Sequence, residues 1–226
     1  EGVSETSLSH NRTTYTLDYI DEYDELPQVA NHEDRRSTQI RNVNRVKLGR
    51  AHEFEVGGEY KWSHHEVEVF QDVTWHPFGY APIDVDLADT VSDNSYALFT
   101  TYTVHPVEWF DVSFGLRYDR FEFTQVGHVA PRVNVGVDVS ERTRLKGAFG
   151  VYYQELPMLV LLQDEEYRDL PTPQATHYVL AVEHRPAPST RLTLEGYYKG
   201  YDRFPMDRAT PELFVVDEVV YDYQYS

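Results

Sequence analysis

The chain has 226 residues, a length that on its own suggests one or two domains. It carries 18 Tyr, 11 Phe and 3 Trp beside a mean hydropathy of −0.56, so its fold must bury aromatic rings while wetting many other side chains. A formal charge of −18 excludes non-specific nucleic-acid binding, which needs Lys and Arg against phosphate, and the lack of cysteine excludes disulfides and thiolate metal sites.

From the first segment onward the recurring signal is period-two alternation. Thr13–Tyr19 lines up Tyr15, Leu17 and Tyr19, and Ile40–Leu48 is a less regular second segment. Next, Phe54, Val56, Gly58, Tyr60 and Trp62 oppose Glu55, Gly57, Glu59 and Lys61, and Tyr96–Val104 is rich in Thr and Tyr. Asp111–Phe123 sets Val112, Phe114, Leu116 and Tyr118 against Ser113, Gly115, Arg117 and Asp119. Pro131–Val139 alternates Val133, Val135, Val137 and Val139 with Arg132, Asn134, Gly136 and Asp138. In Arg144–Gln154, Leu145, Gly147, Phe149, Val151 and Tyr153 face away from Lys146, Ala148, Gly150, Tyr152 and Gln154. Thr176–His184 separates Tyr178, Leu180 and Val182 from His177, Val179, Ala181 and Glu183. Thr190–Gly200 separates Leu192, Leu194, Gly196 and Tyr198 from Thr193, Glu195, Tyr197 and Lys199.

A helix would scatter each set around its circumference, so these segments are strands. There are about nine, with a tenth candidate in Leu213–Tyr225, and each is close to the ~9–11 residues with which a tilted strand crosses a bilayer. No stretch approaches the ~20 apolar residues of a membrane helix; the longest apolar run, Met158–Leu162, is far shorter. The expected fold is therefore all-β, an antiparallel meander of about ten strands of the transmembrane-barrel type. The expected lipid-facing residues are Val112, Phe114, Leu116, Leu145, Phe149, Val151, Leu180, Val182, Leu192 and Leu194. If those faces turn outward, the candidates for lumen and ligand are Arg117, Asp119, Lys146, Tyr152, Gln154 and Glu195.

Connections alternate short and long. Short links are expected at Gly49–His52, His105–Trp109, Ser140–Thr143 and Arg185–Ser189, and long ones at Ile20–Arg36, Ser63–Asn94 and Glu155–Pro173. Barrels of the outer membrane segregate short turns to one rim and long loops to the other, with Phe123–Ala130 a short exception here. Aromatic residues gather at strand ends: Tyr152 with Tyr153, Tyr197, Tyr198 and Tyr201, and Trp109 with Phe110. They suit a headgroup girdle, though ordinary β-propensity explains them equally.

The sequence makes no case for catalysis: neither a nucleophile elbow nor a phosphate-cradling glycine loop is present. Glu165 and Glu166 read as a solvated loop face. His64 and His65, with His76 further on, invite a metal reading, but neighbours on a strand point to opposite faces. Asp84–Asp89 with Asp93, and Asp21, Glu22, Asp24 and Glu25, offer oxygen ligands without the glycine and closing Glu of a calcium loop, so solvated acidic loops are expected. The apolar run Leu156–Leu162 has three readings: substrate contact, packing on a neighbour, or a strand extension. Neither a metal site nor a cofactor is expected.

Four phrases in order resemble the barrel of TonB-dependent outer-membrane receptors. They are Ala130-Pro131-Arg132; Gly147-Ala148-Phe149-Gly150-Val151-Tyr152-Tyr153-Gln154 leading to Leu156-Pro157; Pro173-Gln174-Ala175-Thr176-His177-Tyr178-Val179-Leu180-Ala181-Val182-Glu183; and Leu194-Glu195-Gly196-Tyr197-Tyr198-Lys199 leading to Tyr201 and Phe204-Pro205. The likeness is strongest over Tyr96–Pro205 and generic before it. It implies a place within a larger barrel of about 22 strands, so residues 1–226 are expected to be a barrel segment. The plug domain and the TonB-contacting segment of such receptors have no counterpart here. The start at Glu1, without Met or a signal sequence, is expected of a mature form or a fragment alike.

The resemblance further implies a transporter of the bacterial outer membrane rather than an enzyme. Its partners would be the lipid bilayer, lipopolysaccharide and a scarce small-molecule nutrient such as an iron chelate, cobalamin or a sugar; TonB would engage only through the missing N-terminal part. Two rivals remain open at this point: a self-contained small outer-membrane pore or adhesin, and a soluble β-sandwich that binds glycans.

Overall fold

The computed structural model describes residues 1–20, 27–73, 83–163 and 165–204. Nine strands dominate: β1 (Gly2–Ile20), β2 (Pro27–Leu48), β3 (His52–Val73), β4 (Ile83–Val107), β5 (Phe110–Phe121), β6 (Val126–Ser140), β7 (Thr143–Tyr153), β8 (Gln174–Ala187) and β9 (Thr190–Asp202). They lie in sequence order in a single sheet, each antiparallel to its neighbour. A sandwich needs two stacked sheets, so that rival is overturned. Among the described residues β1 and β9 do not pair with each other, so these nine strands do not close a small barrel. The tenth candidate, Leu213–Tyr225, lies outside the described residues.

The register aligns the apolar sets strand by strand. Val46 pairs with Phe54, Phe54 with Tyr102, Tyr102 with Phe114, and Phe114 with Val133. Val133 then pairs with Phe149, Phe149 with Tyr178, and Tyr178 with Tyr198. Directly opposed residues share a face, so one continuous apolar face runs from β2 to β9. The ten residues expected to face lipid share this face of the sheet. Its aliphatics are not covered by protein: Leu180 is 74 % and Leu194 76 % exposed.

The opposite face is polar and threaded with ion pairs. Arg117 bonds Asp119 at 2.8 Å and reaches Glu59 at 3.5 Å; Lys146 bonds Glu183 at 2.9 Å; Arg144 joins Asp138 at 2.8 Å and also Asp111. Tyr152, Tyr197 and Tyr201 belong to this face, not to an outer girdle. The pairs Tyr152↔Ala175 and Ala175↔Tyr201, and Ala148↔Val179 and Val179↔Tyr197, carry them there. The apolar face has its own aromatics near one rim, in Tyr60 opposite Tyr96 and in Trp62.

The tight links fall where expected, at 49–51, 108–109, 141–142 and 188–189. Gly49 takes a left-handed φ of 69° at the first, a conformation that costs glycine little. Two of the expected long connections are corrected. Much of Ile20–Arg36 and Ser63–Asn94 is strand, because β2, β3 and β4 continue past the apolar belt. Beyond Trp62, β3 runs to Val73, about 36 Å further at ~3.3 Å per residue.

Along this extension the polarity of the two faces swaps. Val67 and Val69, on the polar-face parity of Lys61, are 3 % and 4 % exposed, while Glu66 and Glu68, on the parity of Trp62, face solvent. The cover over the two valines is the apolar run. Pro157 opens a short helix α1 (Met158–Gln163), its carbonyl accepting from the Val160 and Leu161 amides, and a 3-10 turn follows at Glu165–Asp169. Leu161 is wholly buried, and with Leu156, Met158 and Leu162 it packs on Val67 and Val69 and against Leu87, Val91 and Phe123. Of the three readings of Leu156–Leu162, packing is the one realised.

Candidate functional site

Where the ion-paired face meets α1, a cavity of about 550 Å³ opens, a size suited to a small molecule. The backbone reasons are local. β7 ends at Tyr153, and the chain leaves the sheet through Gln154 and Glu155 before Leu156 enters the α1 cluster. The excursion is pinned where it began, because the Gln154 amide donates to the Pro173 carbonyl at 3.2 Å. The floor is sheet: Glu59, Arg117, Asp119, Arg132 and Tyr152 rise from β3, β5, β6 and β7.

One close approach organises this floor. A Cβ on Gly57 would collide with the ring of Phe99 and come within 2.6 Å of the Asn42 carbonyl oxygen. Glycine therefore lets Phe99 lie flat on β3, and the guanidinium groups of Arg41 and Arg117 stack over that ring at 5.1 and 5.8 Å. Arg132 stacks similarly on Tyr152, 4.6 Å from the ring centroid. Over Phe99 both cations also pair with Glu59, Arg41 at 3.7 Å and Arg117 at 3.5 Å, so the ring and the carboxylate hold them together.

Three buried polar atoms on residues lining the cavity have no protein partner: Arg132 Nε, His65 Nδ1 and Glu155 Oε1. His65 is only 7 % exposed, and its Nδ1 stands 3.6 Å from a Glu33 oxygen, too far for a hydrogen bond. Buried polar atoms in native proteins are nearly always satisfied, so orphans converging on one cavity mark a place for water or a ligand.

Glu155 lies off the sheet, and burial, helped by the charge of Asp93 and opposed by Lys61, pushes its carboxyl up to about 7. Such a group binds a proton more tightly folded than unfolded. Its burial therefore costs least at acid pH, weakens docking of the segment as pH rises from about 4.5 through 7, and changes little above that. Hydrogen exchange of 156–163, corrected for intrinsic rate, should show protection falling across that window by no more than about 3 kcal/mol. In Glu155→Gln the fall should vanish.

Of the six lumen and ligand candidates, Arg117, Asp119, Tyr152 and Gln154 meet at this cavity. Lys146 lies apart on the same face with Glu183, and Glu195 sits beyond it opposite Ala181. Sequence reading did not place Arg35, His65, Asp93, Arg132 and Glu155 among these candidates, although it weighed His65 and Asp93 as metal ligands. Its Ser63–Asn94 loop hid His65 and Asp93, which stand on β3 and β4. His64 and His65 are strand neighbours: His64 meets Ser92 on one side, and His65 is buried on the other. Asp84–Asp89 also belongs to β4 rather than to a loop. His76 and the acids at 21–25 lie outside the described residues.

A family model described as "TonB dependent receptor-like, beta-barrel" matches residues 3–222. Among curated proteins none matches. Solved structures share the fold: a mutant of the ferric enterobactin receptor PfeA from Pseudomonas aeruginosa (14 % identity, TM-score 0.64, 88 % of this chain and 32 % of that one). The copper transporter OprC matches at 13 % identity and TM-score 0.63, over 87 % of this chain and 35 % of its own. The FrpB iron transporter from Neisseria meningitidis matches at 12 % and 0.59, over 91 % and 39 %. The chain thus spans about a third of the length of the structures it matches.

Proposed function

The chain belongs to the TonB-dependent receptor β-barrel family, whose members are transporters of the bacterial outer membrane, and from that premise we propose that it is a wall segment of an active nutrient transporter. In this reading the apolar face meets lipid and lipopolysaccharide, and the polar face lines the passage. Residues 1–226 act as barrel alone, and the plug and the TonB contact belong to other parts of the receptor. A scarce small molecule is captured at the rim and admitted when TonB-derived energy displaces the plug. The similar structures named as receptor or transporter for ferric enterobactin, iron and copper favour a metal ion or metal chelate as cargo, with cobalamin and sugars as alternatives.

The observation that carries this reading is the pairing of opposites across one sheet. An uncovered apolar belt backs onto a polar cavity whose orphaned donors and acceptor lack partners. At ~3.3 Å per residue and ~40° tilt, the nine residues from Phe54 to Trp62 span roughly 20–25 Å, the height of an outer-membrane belt. The test uses the full-length receptor in outer membranes, with ferric chelates, cupric ion, cobalamin and oligosaccharides as probes. Arg132→Ala and Tyr152→Ala should weaken binding of one probe class about tenfold, as expected for losing a charged hydrogen bond or a stacking plane, while the barrel stays heat-modifiable. Uptake and binding unchanged in both variants would overturn the assignment of the cavity.

A further inference from the structure

Three strands leave the apolar belt in the same order. Read along β2 at every second residue, Ile40 and Thr38 are followed by Arg36 and then Asp34. On β3, Tyr60 and Trp62 give way to His64 and Glu66; on β5, Leu116 and Tyr118 give way to Arg120 and, just past the strand, Glu122. Each time an Arg or His comes first beyond the apolar residues, and an acid stands one step further out. β1 repeats the start of the series in Leu8, His10 and Arg12. The order runs along single strands, so it holds whatever their tilt.

The opposite rim differs. Leu48, Val104, Phe110 and Leu145 stand there, and among the described residues this face carries neither Lys nor Arg at that end. A chain of formal charge −18 thus gathers the arginines of its apolar face at the rim of the long connections alone.

The acids hold these groups from the water side. Arg36 Nη2 reaches Asp34 at 3.0 Å and Glu66 at 3.6 Å, and Arg120 Nε bonds Glu122 at 3.3 Å. His64 stacks on Trp62 and stands 3.4 Å from Glu66. Those bonds do not exhaust the donors: among the described residues Arg36 is engaged through Nη2 only, and its side chain is 41 % exposed. Arg12 is directly opposite Arg36, and Arg36 opposite His64. Like charges so placed repel, and the Asp34 that both arginines share offsets only part of it.

Cations at the junction of hydrocarbon and water complement anionic headgroups, and a guanidinium matches two phosphate oxygens with two N–H groups. Long connections of outer-membrane barrels face outward, where the leaflet is lipopolysaccharide. We propose that Arg12, Arg36 and His64, with Arg120 further along the rim, bind the phosphate groups of lipopolysaccharide's lipid anchor. The proposal rests on the lipid-facing reading of the apolar face and adds which residues hold the lipid and by what chemistry.

Native mass spectrometry of the full-length receptor tests it, with titration by bisphosphorylated lipid A, dephosphorylated lipid A and phosphatidylglycerol. The parent protein should bind the first about tenfold more tightly than either other lipid. Arg36→Gln with Arg120→Gln should weaken that binding about thirtyfold, roughly fivefold per arginine. Lys at both positions should restore most of it, and Arg142→Gln, on a short link at the other rim, should change nothing. The comparison of lipids on the parent protein needs no variant. Equal binding of dephosphorylated lipid A overturns the proposal, and so does phosphatidylglycerol binding as tightly through the same arginines. A spin label at Leu180 reports on the underlying reading: if lipid-dissolved oxygen does not reach it, the lipid-facing assignment itself fails. Leu180 open to lipid, with no preference for phosphate, overturns the phosphate site alone.

Discussion

Replacing Leu161 with Asp unseats α1 from the sheet and opens one wall of the cavity. Leu161 is wholly buried against the extension of β3 and β4. Its truncation to Ala alone would cost about 2–5 kcal/mol by lost contacts and the void left behind. A carboxylate there adds the desolvation of a charge. Six residues of helix hold no structure by themselves, so the segment has no docked alternative. The strand ladders do not depend on it, and heat-modifiability should survive. Limited proteolysis would show new cleavage between Leu156 and Leu170, and ligand affinity should fall with it. Protection equal to the parent protein would mean that the helix is held by something other than this cluster.

On the proposed lipid-facing assignment, Leu116→Arg should destabilise the barrel in phospholipid vesicles by about 2–4 kcal/mol, the cost of a cation facing hydrocarbon near the bilayer midplane. Leu116 is 50 % exposed and sits between Thr100 and Pro131 on the apolar face. Asn134→Arg, on the opposite face between Ser113 and Ala148, should cost less than about 1 kcal/mol because water reaches it. Denaturant titration in vesicles of the full-length receptor measures both. The contrast is diagnostic because a water-facing sheet would abolish it: an exposed Leu accepts Arg readily in water, whereas hydrocarbon does not. Equal costs at the two positions would contradict lipid contact.

Much of this architecture was legible in the chain because alternation is a property of each strand alone. From Asp111 to Gly200 the apolar and polar sets read from sequence are the two faces of the sheet, and the tight links fall between them. The blade formed by β2, β3 and β4 was not legible, for a specific reason. His64-His65 interrupts the pattern, and beyond it the valines sit on the other parity, so a reading that follows Trp62's face sees only Glu66 and Glu68. The alternation of Val67 and Val69, and of Val85 and Leu87, was nevertheless present in the sequence. The site was half visible for the same reason. Arg117, Asp119, Tyr152 and Gln154 lie on strands with clear periodicity, whereas His65 and Asp93 become neighbours of Glu155 only through the extension and the α1 fold-back. No local pattern announces that contact.

The parity switch after Trp62 also restricts how related sequences can change length. Removing a single residue between Phe54 and Trp62 would slide one part of β3 past the other and exchange the faces of everything on one side of the gap. It would carry Lys61 to the apolar face and turn Val67 and Val69 out from beneath their lid, or else carry Glu55 to the apolar face. Insertions and deletions in these ribbons should therefore accumulate in even numbers, or retreat to the hairpin tips where no side is assigned. Drift in this lineage is thus quantised by the pleat.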